Sequence, residues 1–219
     1  MKHVKTTAHT TAHGKVHVYL FDELDSLSAG FAAENIQRFP TFRREQCSKY
    51  RQVADKNTCI IAYLLLEKGL REQYGVTEPP AFTYNEYGKP YLTDTPHIFF
   101  NFSHCRRGVV CALADFEVGI DMQDIRPYDE VVARRVCNGD ELRQLAQCDD
   151  PARLFCSFWV KKESYAKANG LGIAAVLKHE LPDSGFVTRA GEYYLISLFH
   201  NTRLANAEVN IITCQLPIK

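Results

Sequence analysis

A mixed α and β chain folded as two lobes that meet near residue 115 is the fold class this sequence predicts. Two observations carry it. Each half of the 219-residue chain contains one long helical pattern among several short strand patterns. The length suits two small domains or one large one, at roughly 100–200 residues per domain. A chain that is 46% hydrophobic and 11% aromatic can also fill a substantial core.

The elements follow in order. Residues 1–15 form a polar extension that contains His3, His9 and His13; it lacks the apolar segment of a secretory signal and reads as a mobile leader to a strand over Val16–Phe21. A helical stretch spans Leu27–Phe39 and stops at Pro40. A clearer helix begins near Asp55, where Cys59, Ala62, Tyr63, Leu66 and Leu70 recur at three- and four-residue spacing until Gly75. Phe82–Tyr84 and Pro90–Leu92 read as short strands around the turn Asn85-Glu86-Tyr87-Gly88. His97–Phe102 and Val109–Ala114 are two more strands, closing a first lobe over 16–115. The second lobe, 116–219, opens with a buried-strand pattern at Val118–Met122 and continues with helical segments at Asp129–Val136 and Asp140–Gln147. Its long helix, Pro151–Asn169, has the best end signals: Asp150 to cap it, Pro151 at the first position and Gly170 just past the end. The tail is β-rich, with strands over Tyr193–Phe199 and Val209–Gln215. The halves share no visible sequence repeat.

Composition removes several classes of function. Twenty-six basic residues balance twenty-six acidic ones, so the global charge of a dedicated nucleic-acid binder is missing. The longest apolar run, Cys59–Leu66, is far short of the ~20 residues that span a bilayer, so no membrane partner is expected. The eight cysteines form no C-x-x-C pair and no zinc pattern; they read as reduced, partly buried thiols of a cytoplasmic protein.

Three segments place polar groups in apolar surroundings. In Gly119-Ile120-Asp121-Met122-Gln123, a strand puts Asp121 and Gln123 on one face, where two oxygen side chains suit a hard cation; an ordinary strand end with surface polar residues fits the same pattern. In the long helix, Trp159, Glu163 and Lys167 form one stripe at i, i+4, i+8. Glu163 and Lys167 also fit a simple surface pair, but the packed aromatic start of the helix argues that part of this face lines a cleft. In Asn101-Phe102-Ser103-His104, a Ser-His pair at a strand end can donate to phosphate oxygens. A hydrolase is disfavoured, because adjacent residues rarely reach one another as nucleophile and base and there is no G-x-S-x-G elbow.

Gly119–Gln123 together with Trp159-Val160-Lys161-Lys162-Glu163-Ser164-Tyr165-Ala166-Lys167 resembles the paired signature of 4′-phosphopantetheinyl transferases. Tyr87-Gly88-Lys89-Pro90 and Asn101–His104 resemble two further blocks of that family's surfactin-type branch, and the likeness runs from about Thr41 to Gly172. The resemblance implies an α+β fold of two pseudo-symmetric lobes, each a small antiparallel sheet packed on a long helix, in a monomer. It implies an Mg²⁺-dependent enzyme that moves the phosphopantetheine arm of coenzyme A to a serine of an apo acyl- or peptidyl-carrier protein and releases 3′,5′-ADP. Carried over to this chain, Asp121 and Glu163 are metal ligands, with Gln123 beside them. Glu163 is the candidate to deprotonate the carrier serine, directly or through a metal-bound water. Ser103 and His104 contact phosphates, Lys89 lies by the adenine nucleotide, and Lys167 binds the pyrophosphate. Arg43, Lys56 and Thr58 fall near the 3′-phosphate contacts. Many family members have glutamate where this chain has Gln123, which motivates the alternative of a catalytically weak paralogue that binds carrier protein or coenzyme A. An unrelated Mg²⁺-dependent nucleotide enzyme lacks support, since the chain has neither G-x-x-x-x-G-K-[ST] nor G-x-G-x-x-G.

Overall fold

Period-2 alternation in a few strands sorts the chain into four layers. The computed structural model describes residues 14–200 and 207–216. The N-terminal extension therefore lies outside the described residues up to His13, and Lys15 already belongs to the first strand. In chain order the elements are β1 (Lys15–Phe21), α1 (Phe31–Ile36), α2 (Thr41–Ser48), α3 (Val53–Tyr74), β2 (Phe82–Tyr84), β3 (Pro90–Leu92), β4 (Phe99–His104), β5 (Val109–Ala114), β6 (Val118–Asp124), α4 (Glu130–Val136), α5 (Gly139–Gln147), α6 (Pro151–Ala168), β7 (Phe186–Ala190), β8 (Tyr194–His200) and β9 (Glu208–Thr213). The first sheet has the order β4-β5-β1-β9, the second β6-β8-β7, and β2-β3 is a separate hairpin.

Alternate residues of β1 and β5 face opposite ways. Tyr19, Phe21, Cys111 and Leu113 pack under α3 with Ile61, Leu65 and Phe100. Val16, Val18, Leu20, Val110 and Ala112 meet Ile120, Met122, Ile196 and Leu198 of the second sheet. The two sheets thus share one apolar layer, α3 covers the outer face of the first, and α6 covers the outer face of the second. Each fully buried aliphatic side chain in that shared layer contributes about 1.5–3 kcal/mol, so the lobes are bonded by a core. The approach of α6 to β6 is close enough to require glycine: a Cβ on Gly119 would lie 2.1 Å from the Ser164 carbonyl oxygen and 2.2 Å from the Ala168 nitrogen.

The expected elements form, with differences that have local causes. The stretch read as one helix over Leu27–Phe39 is a 3-10 turn at Leu24–Ser26 followed by α1, with Gly30 at the start of the helix. The second helix, α2, runs from Thr41 directly after Pro40, which occupies its N-cap position. The Val209–Gln215 strand forms as β9, but it runs parallel to β1 in the first sheet. This part of the 116–219 half therefore belongs to the first lobe's sheet, which is antiparallel except for that pair. The reason is edge coverage. Val209 and Ile211 pack against the inter-sheet layer and Ile212 against the α3 side, so β9 shields an edge of β1 that would otherwise be open.

Strand β6 is an edge strand of its sheet, and β4 is an edge strand of the other. Their meeting is built from side chains rather than a ladder. The Ile120 N–H donates to Asn101 Oδ1 at 3.0 Å, and the Met122 N–H donates to Ser103 Oγ at 3.0 Å. Asn101 and Ser103 are one period apart on β4, so both reach the same strand. Replacing Asn101 with alanine leaves the Ile120 N–H buried without an acceptor. We expect a loss of about 1–3 kcal/mol in unfolding free energy by urea titration, and a larger loss for Gly119→Ala, whose new methyl meets backbone.

Candidate functional site

The side-chain seam at β4 and β6 ends on Asp121. The Ser103 hydroxyl donates to Asp121 Oδ1 at 2.8 Å, and Lys167 Nζ lies 2.6 Å from the same oxygen. Lys167 Nζ also donates to the Ile120 carbonyl oxygen at 3.3 Å and contacts Ser103 Oγ at 3.2 Å. Asp121 is buried, and its second oxygen, Oδ2, has no hydrogen-bond partner among the described residues. Glu163 is one turn before Lys167 on α6 and makes no hydrogen bond or ion pair among the described residues. Burial raises its carboxyl above the ordinary range; Lys167 opposes the rise and Asp121 adds to it.

His104 follows Ser103 and, by alternation, presents to the other side of β4. It lines a cavity of about 600 Å³ between the lobes, with Asp55, Thr58, Arg106, Gln123 and Asp124 among the other walls. Burial, and then the Lys167 ammonium, hold the His104 imidazole below its usual value, which favours the neutral ring. Gln123 shares the Asp121 face of β6. It also borders a second cavity, of about 280 Å³, walled by Arg126, Phe155, Cys156 and Trp159. The site thus opens on both sides of Gln123.

Of the other expected site residues, Lys89, Arg43 and Lys56 do not line the inter-lobe cavity. Lys89 is buried, pairs with Glu117, donates to the Ala168 carbonyl oxygen at 3.0 Å and lies 5.3 Å from the centre of the Tyr91 ring. With Asn85, whose amide donates to the Gly170 carbonyl oxygen at 3.1 Å, it clips the β2-β3 hairpin onto the end of α6. The guanidinium of Arg43 is buried between helices, donating to the Cys59 carbonyl oxygen and to Gln46 Oε1, each at 2.7 Å, and lying over the Tyr63 ring. It braces α2 against α3 rather than lining the inter-lobe cavity. Lys56 lines a different cavity, beside Cys47. Of the three residues Arg43, Lys56 and Thr58, Thr58 alone lines the inter-lobe cavity.

Sequence reading missed the residues that hold α6 in place. Lys162 is fully buried, 3.0 Å from Glu141 Oε1, and donates to the His179 carbonyl oxygen at 3.2 Å. Glu141 Oε2 also accepts the Asn138 N–H at 2.8 Å, as half of the capping box of α5. Ser164 Oγ and Ser197 Oγ, 3.0 Å apart, join α6 to β8. The one available signal was Asn138 three residues before Glu141, which marks a helix start but not the lysine that completes the pair.

No three of His, Cys, Asp and Glu gather as a metal cluster among the described residues. The oxygen donors nearest to one another are Asp121 Oδ2 and the Glu163 carboxylate, neither with a hydrogen-bond partner among the described residues, and the Gln123 amide follows on the same face of β6. This set fits a hard cation that keeps part of its water shell.

Residues 117–209 match the family model of the 4′-phosphopantetheinyl transferase superfamily. A 4′-phosphopantetheinyl transferase of Bacillus subtilis is 30% identical over 169 residues, covering 74% of this chain and 75% of its own. The 4′-phosphopantetheinyl transferase Sfp of Bacillus subtilis strain 168 is 30% identical over 151 residues, covering 66% and 67%. The 4′-phosphopantetheinyl transferase psf-1 of Bacillus pumilus is 29% identical over 182 residues, covering 81% and 76%.

The buried pair behind the site gives a stability prediction. Glu141→Ala leaves the Lys162 ammonium buried without its counter-charge and should cost about 3–5 kcal/mol, whereas the double replacement Glu141→Leu with Lys162→Met should recover most of the loss. Chemical denaturation of both variants measures the difference.

Proposed function

The chain belongs to the 4′-phosphopantetheinyl transferase superfamily, and from that premise we propose that it moves the 4′-phosphopantetheine group of coenzyme A to a serine of an apo acyl- or peptidyl-carrier protein, with Mg²⁺, releasing 3′,5′-ADP. The observation that carries the reading is the convergence on Asp121. A buried carboxylate has one oxygen held by Ser103 and Lys167 and the other without a partner among the described residues, close to a half-buried Glu163, while His104 and Gln123, one and two positions on from Ser103 and Asp121, line the inter-lobe cavity.

Asp121, Glu163 and Gln123 would hold Mg²⁺, which when bound supplies positive charge to the pyrophosphate and its developing negative charge. The carrier serine Oγ forms a bond to the phosphorus that carries pantetheine. The bond from that phosphorus to the bridging oxygen breaks, and the electron pair leaves with 3′,5′-ADP. Glu163, with its carboxyl raised by burial, takes the serine proton. The Lys167 ammonium stabilises the charge that grows on the leaving phosphate. Neutral His104 donates to a phosphate oxygen, with Thr58 lining the same cavity, while the single Ser103 O–H stays on Asp121 and holds that carboxylate in place. Lys89 holds the hairpin against α6 beside this site, and Arg43 supports the turn of α3 that bears Thr58.

The carrier is assigned to the surface that follows β6. Val131 and Val132 are exposed on α4, and Arg135 stands with Arg134, which already pairs with Glu130 at 3.1 Å. An apolar patch beside arginines suits an acidic helix next to the modified serine.

Intact-mass spectrometry of an apo carrier protein after incubation with coenzyme A and Mg²⁺ tests the reading. One added phosphopantetheine is expected, and none after chelation of the metal. Asp121→Ala and Glu163→Ala should each lower the rate on the order of 10²-fold or more with the fold retained. Lys167→Ala should lower kcat more than it raises KM for coenzyme A. Near-normal rates in the folded Asp121 and Glu163 variants would remove the site assignment.

A further inference from the structure

Cys47 of α2 and Cys59 of α3 lie with their Sγ atoms 2.7 Å apart in the first lobe. All eight cysteines are free thiols, and no other pair of them is in hydrogen-bond contact among the described residues. We infer that Cys47 and Cys59 are a peroxide-oxidisable dithiol, a modification site that couples α2 covalently to α3. It does not rest on the reading of the inter-lobe cleft.

Three features support the assignment. The separation exceeds a disulfide bond by only about 0.7 Å, since a bonded pair sits at ~2.05 Å. Bond formation therefore needs the two sulfur atoms to close by that distance only. Cys47 is itself only 2% exposed, but it borders a cavity of about 330 Å³ with Ala29, Ala33, Val53, Lys56 and Ile60 through which an oxidant can reach it. At ~30 Å³ per water that space admits a hydroperoxide. Finally, the surroundings favour the thiolate at one sulfur. The hydrogen bond from Cys59 lowers Cys47 from its ordinary value against the effect of burial, with Arg43 and Lys56 adding to the lowering. The same contact, and then burial, push Cys59 up. The thiolate is the reactive form, so the two sulfurs have distinct roles. Cys111 is the contrasting case: it is fully buried, burial and then the nearby Cys214 push its thiol well up, and its sulfur makes no contact like that of Cys47 with Cys59 among the described residues.

The step balances. The Cys47 thiolate attacks one oxygen of hydrogen peroxide, the O–O bond breaks, and protonation of the leaving hydroxide gives water and a sulfenic acid at Cys47. The Cys59 sulfur then attacks the Cys47 sulfur, and the sulfenic oxygen leaves as a second water with the Cys59 proton. Two thiols are oxidised to one disulfide, and one peroxide is reduced to two waters. The bond pins α2 to the turn of α3 that carries Lys56 and Thr58.

The test uses the whole chain, treated with hydrogen peroxide, alkylated in denaturant and digested with trypsin. We expect the peptides Glu45–Lys49 and Asn57–Lys68 to be joined with the loss of two hydrogens and released by dithiothreitol, while the other six cysteines stay alkylated. In Cys59→Ser, the Cys47 sulfenic acid should accumulate and be trapped by dimedone. In Cys47→Ser, Cys59 should remain a thiol. Unchanged alkylation of Cys47 and Cys59 after peroxide, or cross-links to other cysteines in their place, would overturn the inference. Because intact chain is compared before and after oxidation, the outcome does not depend on either variant folding.

Discussion

The exposed edge of β6 has to be satisfied where two sheets meet, and the rest of the site depends on how that is done. A buried N–H without an acceptor costs about 1–3 kcal/mol, and neither the second sheet nor α6 supplies an acceptor for the Ile120 and Met122 amides. The acceptors come from the other lobe, as Asn101 Oδ1 and Ser103 Oγ. Because Ser103 accepts from Met122 and donates to Asp121, one hydroxyl sets the strand and aims the carboxylate. Asp121 is therefore positioned by the inter-lobe joint itself, and a change in that joint is a change in the site.

The helix on the far side has the complementary task. Gly119 lets α6 approach β6 so closely that Lys167 reaches Asp121 Oδ1 and the Ile120 carbonyl. Its roll is fixed from behind by buried Lys162 on Glu141, and its end by Lys89 and Asn85. A buried ion pair is an expensive anchor, since removing one partner strands a charge. Here it holds the turn that carries Glu163. Desolvation of that carboxylate follows from the same packing, so the raised Glu163 and the fixed helix have one cause.

The legible parts of the structure were those written in local pattern. The period-2 runs of β1, β5 and β6, the Asp150-Pro151 start of α6 and the Gly75 end of α3 depend on neighbours in sequence, and each formed within a few residues of its expected range. Asp121, Glu163, Lys167 and Ser103 were legible through motif spacing, and the fold brings them together. What depended on distant partners was not. The place of β9 beside β1 follows from an edge supplied almost two hundred residues earlier in the chain. Lys89 read as a neighbour of the adenine nucleotide and Arg43 as one of a 3′-phosphate, yet Glu117, Gln46 and two backbone carbonyls engage them. Asn101 was legible as a polar residue after an apolar strand, but its acceptor role exists only once β6 lies alongside.

Amide hydrogen exchange of the ¹⁵N-labelled full chain tests the joint most directly. If Asn101 and Ser103 close the β6 edge, the Ile120 and Met122 amides are protected like those inside β8, and Ser103→Ala speeds exchange at Met122 while Ile120 stays slow. Exchange of both amides in the native protein at the rate of the exposed Glu86 and Tyr87 turn would contradict the account.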